Sequence, residues 1–281
     1  MPRWVEVARG LCGRAHGSLA SGAWARLTRF LTPPLPSMLL EIVAYSYASA
    51  LAAQQGGADR VELCENTAEG GTTPSLGTLE ATRALPGLKL HVMIRPRGGD
   101  FLYTDAEFRI MLREIAIAKA AGADGVVLGL LNPDATVDLE RTRTLVQAAA
   151  GMSVTFHRAF DWAADPAAAL EAIIAAGCHR VLTSGQAPNA LAGADLIARL
   201  VRQAGDRCTI LAGGGVSETN VGELVRRTGV REVHASLRGI QGTRMTIRPP
   251  SVSLGAAPDW PADAIPVADQ ARVAKVKALL G

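Results

Sequence analysis

The sequence predicts an α/β protein, a single (β/α)8 barrel of the TIM type with a closing helix at its C-terminal end. From Met38 onward, eight short segments rich in β-branched residues alternate with Ala-rich amphipathic segments. Four junctions repeat one pattern of helix end, glycine and strand: QQGGADRVEL, KAAGADGVVL, IAAGCHRVLT and RRTGVREVHA. No G-x-G-x-x-G motif follows the first strand, so the main signal of an open dinucleotide-binding sheet is missing.

Each predicted strand is a short apolar run that ends near a glycine or a polar residue. The segment Val267–Leu280 predicts the closing helix, and the stretch before it, from PPSVSLG to Pro266, predicts an extended tail. The eight strands are predicted at Leu39–Val43, Arg60–Cys64, Leu90–Arg95, Gly125–Gly129, Ser153–His157, Arg180–Ser184, Cys208–Ala212 and Glu232–Ser236.

Capping residues predict where several helices begin. Thr73 and Asp165 each precede a proline, which is favoured at the first helical position. Ser217 is a third candidate cap, and Thr104 with Glu107 has the spacing of a capping box.

The first 37 residues differ in composition from the rest of the chain. They contain five arginines against one acid, Glu6, and they close with the proline-rich segment Pro33–Pro36. We predict that residues 1–37 are a flexible N-terminal extension and that residues 38–281 are the barrel domain. Two origins fit the extension: an over-long gene start, with Met38 as the true initiator, or a transit peptide.

Composition excludes several classes of function. A hydrophobic share of 48% with 20% charged residues indicates a folded chain with a sizeable core. Aromatic residues make up only 4%, and beyond residue 37 basic and acidic residues nearly balance, so nothing indicates a nucleic-acid partner. The longest apolar runs are strand-sized, which argues against a membrane partner. Four cysteines without a C-x-x-C pair favour a reducing, cytoplasmic location.

Polar residues occupy one face of several predicted strands. Barrel interiors are normally filled by apolar side chains, and active sites lie at the C-terminal strand ends. The alternating positions on these strands, such as Ile42 and Val92, are apolar and are predicted to face the helices. The polar set therefore predicts a catalytic site, although a buried ion-pair network is the structural alternative. Its members are Glu41, Glu62, Cys64, His91, Arg95, Thr155, His157, His234 and Ser236.

The loops after the strands add candidate ligand-binding residues. The motif RPRGGD places the guanidinium groups of Arg95 and Arg97 beside Asp100, an arrangement suited to a carboxylate or phosphate; a salt-bridged turn is the alternative. Gly213 and Gly214 belong to a glycine run after the seventh strand, where many barrels bind phosphate. Further candidates at the mouth are Arg158, Ser184 and Ser236.

Cys64 is the candidate metal ligand. It shares the inward face with Glu62 and lies near the mouth, where Arg95 or an imidazole can lower its pKa. A thiolate in that place is either a soft-metal ligand or a nucleophile.

Seven motifs together resemble the CutC family of copper homeostasis proteins: LEIVAYS, GADRVELC, EGGTTPSLG, IRPRGGDF, VTFHRAFD, RVLTSGQ and EVHASL. The resemblance runs from Met38 to Leu280. It implies a cytosolic barrel, a homo-oligomer and copper as the bound ion. Family members that bind copper are expected to use a cysteine on the first strand and one on the second. Here the second-strand position is Cys64, whereas the first-strand position is Val43, which has no ligand atom.

Two hypotheses of function follow. The resemblance implies a copper-binding homeostasis protein that uses Cys64 with the imidazole of His157 or His234. The residues by themselves favour an enzyme for a small anionic or sugar-like molecule, with Arg95 and the glycine loop holding the anion. In that reading Glu41 or Glu62 is the general base and His157 or His234 its acid partner. A divalent metal held by Glu41, Glu62 and His157 is a variant.

Overall fold

The computed structural model describes residues 38–247 and 265–281. The predicted N-terminal extension, residues 1–37, lies outside the described residues, as do residues 248–264, which include most of the predicted tail.

Eight parallel strands form a closed barrel in chain order, and the eighth strand pairs with the first. The predicted (β/α)8 fold class is confirmed. The barrel strands are β1 (Leu39–Ala44), β2 (Arg60–Leu63), β3 (Lys89–Met93), β4 (Gly125–Leu128), β5 (Ser153–Phe156), β6 (Arg180–Thr183), β7 (Thr209–Gly213) and β8 (Glu232–Ala235). A separate antiparallel pair consists of β9 (Arg238–Gln241) and β10 (Ile265–Ala268). The helices are α1 (Tyr47–Gln55), α2 (Leu76–Arg83), α3 (Asp105–Ala120), α4 (Leu139–Ala148), α5 (Pro166–Ala176), α6 (Ala194–Ala204), α7 (Val221–Thr228) and α8 (Gln270–Leu280).

Alternate residues of each strand face opposite sides of the barrel wall, as the sequence predicts. The outward residues, such as Ile42, Val61 and Phe156, are fully buried in one apolar core with the helices. A second, smaller apolar cluster lies inside the barrel near its mouth. We call it the interior cluster, and it consists of Val43, Cys64, Met93 and Val127.

Two of the predicted helix starts are confirmed. Thr104 and Glu107 form a complete capping box at the start of α3. Asp165 caps α5, whose first residue is the predicted proline.

The other two starts were predicted too early. Ser75 caps α2, because the Thr73 hydroxyl donates instead to Glu114 of α3 at 2.7 Å. Before α7, the Ser217 N–H donates to the Asn220 side chain at 2.9 Å, so the chain makes a turn first.

The predicted closing helix exists as α8, but it begins at Gln270 rather than at Val267. Val267 lies instead in β10, which pairs with β9, and the sequence analysis predicted neither strand. Asp269 caps α8 by accepting from two backbone N–H groups of its first turn. Within residues 38–247 and 265–281, every helix falls short of the length and hydropathy that a membrane span requires.

Candidate functional site

A cavity of about 650 Å³ opens at the C-terminal mouth of the barrel. Most of the predicted site residues line it, because the inward positions of parallel strands converge there. The predicted residues in its wall are Glu62, Arg95, Asp100, His157, Arg158, Gly214, His234 and Ser236. The wall does not include Glu41, Cys64, Arg97, Ser184 or Gly213.

Below the cavity, the barrel interior holds a buried ion-pair network. The Arg60 guanidinium, 2% exposed, contacts the Glu41 carboxylate and also Glu232 of β8, the latter at 2.6 Å. Arg180 of β6 contacts the same Glu232 oxygen at 2.7 Å. The structural alternative therefore describes this lower layer. Sequence reasoning missed these two arginines and Glu232, although Arg60 has the same strand parity as Glu62.

Glu41 connects that network to the site. It accepts a hydrogen bond from His234 Nδ1 at 2.7 Å, which leaves Nε2 of this imidazole facing Glu62 at 3.9 Å. Burial opposes ionisation of Glu41, but the charge of Arg60 and the hydrogen bond from His234 hold its pKa well below the usual range. Glu41 is therefore an orienting carboxylate for His234.

Glu62 has the opposite character. Burial raises its pKa to about 7, against the attraction of His234. Within the described part of the chain, its Oε1 atom is buried and without a hydrogen-bond partner. The charges of Glu62 and Glu41 in turn raise the pKa of His234, against the effect of burial. Glu62 and His234 both face the cavity.

The Cys64 thiol lies directly beneath this pair. It is fully buried, and its Sγ donates to Glu62 Oε2 at 3.6 Å. Burial, and next the negative charge of Glu62, raise the pKa of the thiol well above its usual range. Arg95 acts in the lowering direction that the sequence analysis anticipated, but burial outweighs it. Cys64 is therefore a neutral thiol here.

His157 occupies the opposite wall of the cavity. Its Nδ1 accepts from the Ala159 N–H at 3.1 Å, and its ring packs on Phe101 with 5.0 Å between centroids. Burial, followed by the charge of Arg95, lowers the pKa of His157 to about 3, so the imidazole is neutral. The space for this ring exists because residue 129 is glycine: a Cβ there would lie 2.5 Å from Nδ1.

The two arginines of the RPRGGD motif make different contacts. Arg95 donates to the carbonyls of Glu69, Gly71 and Gly99 at 2.6, 2.9 and 2.8 Å, and so joins two loops at the mouth. Arg97 lies outside the cavity wall and pairs with Asp100 at 2.9 Å and with Glu107 at 2.6 Å. The salt-bridged-turn interpretation therefore describes Arg97.

Arg158 follows β5 and is fixed by a carboxylate that sequence reasoning missed. Asp161 accepts from Arg158 Nε at 2.7 Å, and Ser184 Oγ accepts from Nη2 at 2.9 Å. Asp161 also accepts from the Thr183 hydroxyl and the Ser184 N–H, so it is held by β6. The motif VTFHRAFD contains this aspartate three residues after Arg158. That spacing places the two side chains within one helical turn, and it could have predicted the ion pair.

One group of side chains has the spacing of a metal site: Glu41, Glu62 and His234, whose donor atoms lie within 4.8 Å of one another. The imidazole in it is His234, where the sequence analysis expected His157. Both oxygens of Glu41 already contact Arg60 and His234. An ion at this place would thus take its ligands from Glu62 and His234, with Glu41 behind the imidazole.

A closed parallel barrel with a polar cavity at its C-terminal mouth defines a protein of the TIM-barrel class. Within that class, the sequence model of the CutC family matches residues 38–239. The chain therefore belongs to this family. The resemblance stated from the seven motifs is confirmed.

Relatives extend over most of the chain. A "family protein CutC" of Chromobacterium violaceum is 52% identical over 219 residues, which are 78% of this chain and 89% of the relative. The "Copper homeostasis protein cutC homolog" of Homo sapiens is 42% identical over 241 residues, 86% of this chain and 88% of the relative. The crystal structure of CutC from Streptococcus agalactiae has a TM-score of 0.67 and 36% identity, covering 70% of this chain and 97% of that one. An aldolase with a TM-score of 0.53 and 15% identity shares the fold alone.

Proposed function

We propose that this chain is a copper homeostasis protein that binds Cu(I) inside the barrel, with Cys64 as the thiolate ligand. The observation that carries this proposal is the interior cluster, where Cys64 packs with Met93 beside Val43. Thiolate and thioether sulfurs are the ligands that Cu(I) prefers in proteins. The human relative's name, copper homeostasis protein cutC homolog, supports the same function.

Met93 supplies a second soft donor in place of the first-strand cysteine, since Val43 has no donor atom. A Cβ placed on Gly71 would lie 3.1 Å from Cys64 Sγ and 3.6 Å from Met93 Cε, so both sulfur side chains pack on one point of backbone. Met93 also lines the cavity, which gives an ion a route from solvent. A thioether is flexible and adjusts its position to a bound ion.

Glu62 provides a destination for the thiol proton. Its Oε2 accepts from Cys64 Sγ, and its pKa of about 7 lets it accept or release a proton near neutrality. A bare thiolate is costly in this buried place, whereas a thiolate paired with Cu(I) is electrically neutral. Copper affinity is therefore expected to rise with pH, because binding releases the thiol proton.

A divalent ion at Glu62 and His234 is the second candidate, favoured by the spacing of the Glu41, Glu62 and His234 group. Carboxylate and imidazole donors suit harder ions than Cu(I). Such binding would need Glu62 and would leave Cys64 unused.

An anaerobic Cu(I) titration against a competing chromophoric chelator tests the proposal. We expect one tightly bound ion in the wild type, loss of that binding in Cys64→Ser, and affinity about 10-fold or more weaker in Met93→Leu. Cys208→Ser is the matched control, because Cys208 is also buried but precedes β7 at the other end of the barrel. Unchanged Cu(I) binding in Cys64→Ser would contradict the proposal. A divalent ion that binds the wild type and Cys64→Ser but not Glu62→Gln would favour the second candidate.

The proposal includes a cytoplasmic location, a homo-oligomeric state and a small anionic molecule as a second ligand. The family resemblance supports the first two, and light scattering of the purified protein measures the oligomer. The cavity supports the third, since about 650 Å³ suits a small organic molecule rather than one ion.

A further inference from the structure

We propose that the mouth cavity binds a small organic oxyanion, a phosphate ester or a carboxylate, on Arg158, with His157 donating a hydrogen bond to one of its oxygens. This inference rests on the small anionic ligand of the proposed function and names its chemistry and its binding residues. It does not depend on copper.

His157 lines the cavity and carries a hydrogen-bond donor that the described residues leave unused. Because its Nδ1 accepts from the Ala159 N–H, the proton of the neutral ring is on Nε2. The residue is 3% exposed, and in residues 38–247 and 265–281 no group pairs with this Nε2. A buried N–H without a partner is costly, so the protein gains when a ligand oxygen accepts from it.

Arg95 supports the wall that carries His157. Its Nη atoms are used by loop carbonyls, and its buried side chain also contacts the Tyr103 hydroxyl, which is not in the cavity wall. The guanidinium lies over the Phe101 ring at 5.1 Å, and that ring also packs on His157. Phe101 therefore holds His157 in place at one side of the cavity.

Arg158 supplies the charge. Asp161 and Ser184 engage its Nε and Nη2, and the guanidinium lies beside Gly214, with its central carbon 3.7 Å and Nη1 3.8 Å from the place of a Cβ on that glycine. Gly214 and Gly215 both have positive φ, at 102° and 69°, and both line the cavity, so no side chain covers the backbone beside the guanidinium. A guanidinium fixed in orientation beside open backbone suits an oxyanion.

The distribution of these groups indicates the chemistry of the ligand. At one side His157 and Arg158 are donors, which favours oxygen acceptors and negative charge in the ligand. Elsewhere the cavity offers Glu62, whose Oε1 has no partner among the described residues and suits a ligand hydroxyl. The lining also includes Glu69, Asp100 and Arg238; Asp100 pairs with Arg97, as Arg158 pairs with Asp161. A small hydroxylated acid combines these features.

Calorimetric titration of the full-length protein tests the inference with three matched probes: glycerol 3-phosphate, glycerate and uncharged glycerol. We expect one anion to bind and glycerol not to bind, and the preferred anion identifies the group as a phosphate ester or a carboxylate. Arg158→Met is expected to weaken that binding at least about 10-fold, since a hydrogen-bonded charge is lost. Arg227→Met, a similarly exposed arginine in α7, is the control and should bind as the wild type does.

Two results would overturn the inference: no binding of either anion, or equal affinity in Arg158→Met and the wild type. The Arg158 side chain is half-exposed, so we expect Arg158→Met to fold as the wild type does. Circular dichroism of the variant checks its folding. Copper binding and anion binding are tested by different variants, so one proposal can fail without the other. Cys64→Ser should keep anion affinity, and Arg158→Met should keep Cu(I) affinity.

Discussion

At the scale of single residues, the site depends on two glutamates that the barrel treats in opposite ways. Glu41 stays ionised because Arg60 and His234 surround it. Glu62 has one carboxylate oxygen without a partner among the described residues, and its pKa is about 7. Identical side chains two strand positions apart in register therefore serve as a fixed charge and as a proton acceptor.

Glu62 makes a testable contribution to the pH dependence of stability. Its pKa is about 7 in the folded protein, against an ordinary value of 4.5. Between these values the folded state holds a proton that the unfolded chain has released, so stability falls as the pH rises through this window. We expect the wild type to lose on the order of 2 kcal/mol relative to Glu62→Gln from pH 4.5 to 7. Urea unfolding at several pH values measures this difference.

Two buried histidines change the stability with pH in the opposite direction, but the wild type and Glu62→Gln both contain them. Burial lowers the pKa of His157 and His91 to about 3, so their contribution is lost as the pH falls from 6.5 toward 3. Glu171→Gln is the control: Arg207 lowers the pKa of this exposed carboxylate to about 2, so its contribution changes mainly below pH 4.5 and the difference from the wild type should stay nearly constant from pH 4.5 to 7. A wild-type advantage over Glu62→Gln that stays constant from pH 4.5 to 7 would contradict the prediction.

At the scale of elements, β4 is the strand that makes room for the site. Its inward positions are Gly125, Val127 and, just past the strand end, Gly129, and the imidazoles of His91 and His157 fill the space beside the two glycines. Small residues on one strand thus permit large polar residues on its two neighbours.

Gly125→Ala is expected to destabilise the protein by about 1–3 kcal/mol, because the added methyl would lie 2.6 Å from the His91 ring. Gly77→Ala in α2 is the matched control: a Cβ there meets nothing within 4 Å, and the exchange should stabilise by up to about 1 kcal/mol. Urea denaturation midpoints report both. A stabilised Gly125→Ala protein would show that the His91 ring moves aside without cost.

At the scale of the whole molecule, α8 joins the closing part of the chain to the first βα unit. Val273 is fully buried against Gly56, and Lys277 Nζ donates to the Asp59 carboxylate at 2.6 Å. The barrel domain therefore includes the C-terminal helix in its packing.

Val273→Ala is expected to cost about 1–3 kcal/mol of folding free energy, because it removes buried methyl groups and leaves a cavity between α8 and α1. Leu279→Ala on the same helix is the control: this side chain is 54% exposed, and the change should stay within about 0.5 kcal/mol. Thermal unfolding compares the three proteins. Equal melting temperatures for Val273→Ala and the wild type would show that α8 does not stabilise the barrel.

The sequence alone was sufficient for the fold class, the family and the inward face of the strands. Alternation and capping are local patterns, and parallel strands in a barrel convert parity directly into inside and outside. Strand ends were predicted less well: Cys64 and His157 each lie one residue beyond their strand, because the ladder of hydrogen bonds stops where the loops begin. The β9–β10 pair has no periodic signal of its own and was missed.

Only the tertiary structure decided which of the inward groups meet. Glu41 contacts His234 rather than His157, Cys64 lies beside Met93 and Glu62, and Arg158 rather than Arg97 faces the cavity. These pairings connect strands distant in sequence, so they depend on the stagger of strands around the closed barrel and on side-chain rotamers. Parity specifies the face on which a residue lies, but the distance between two residues on that face is a property of the assembled barrel.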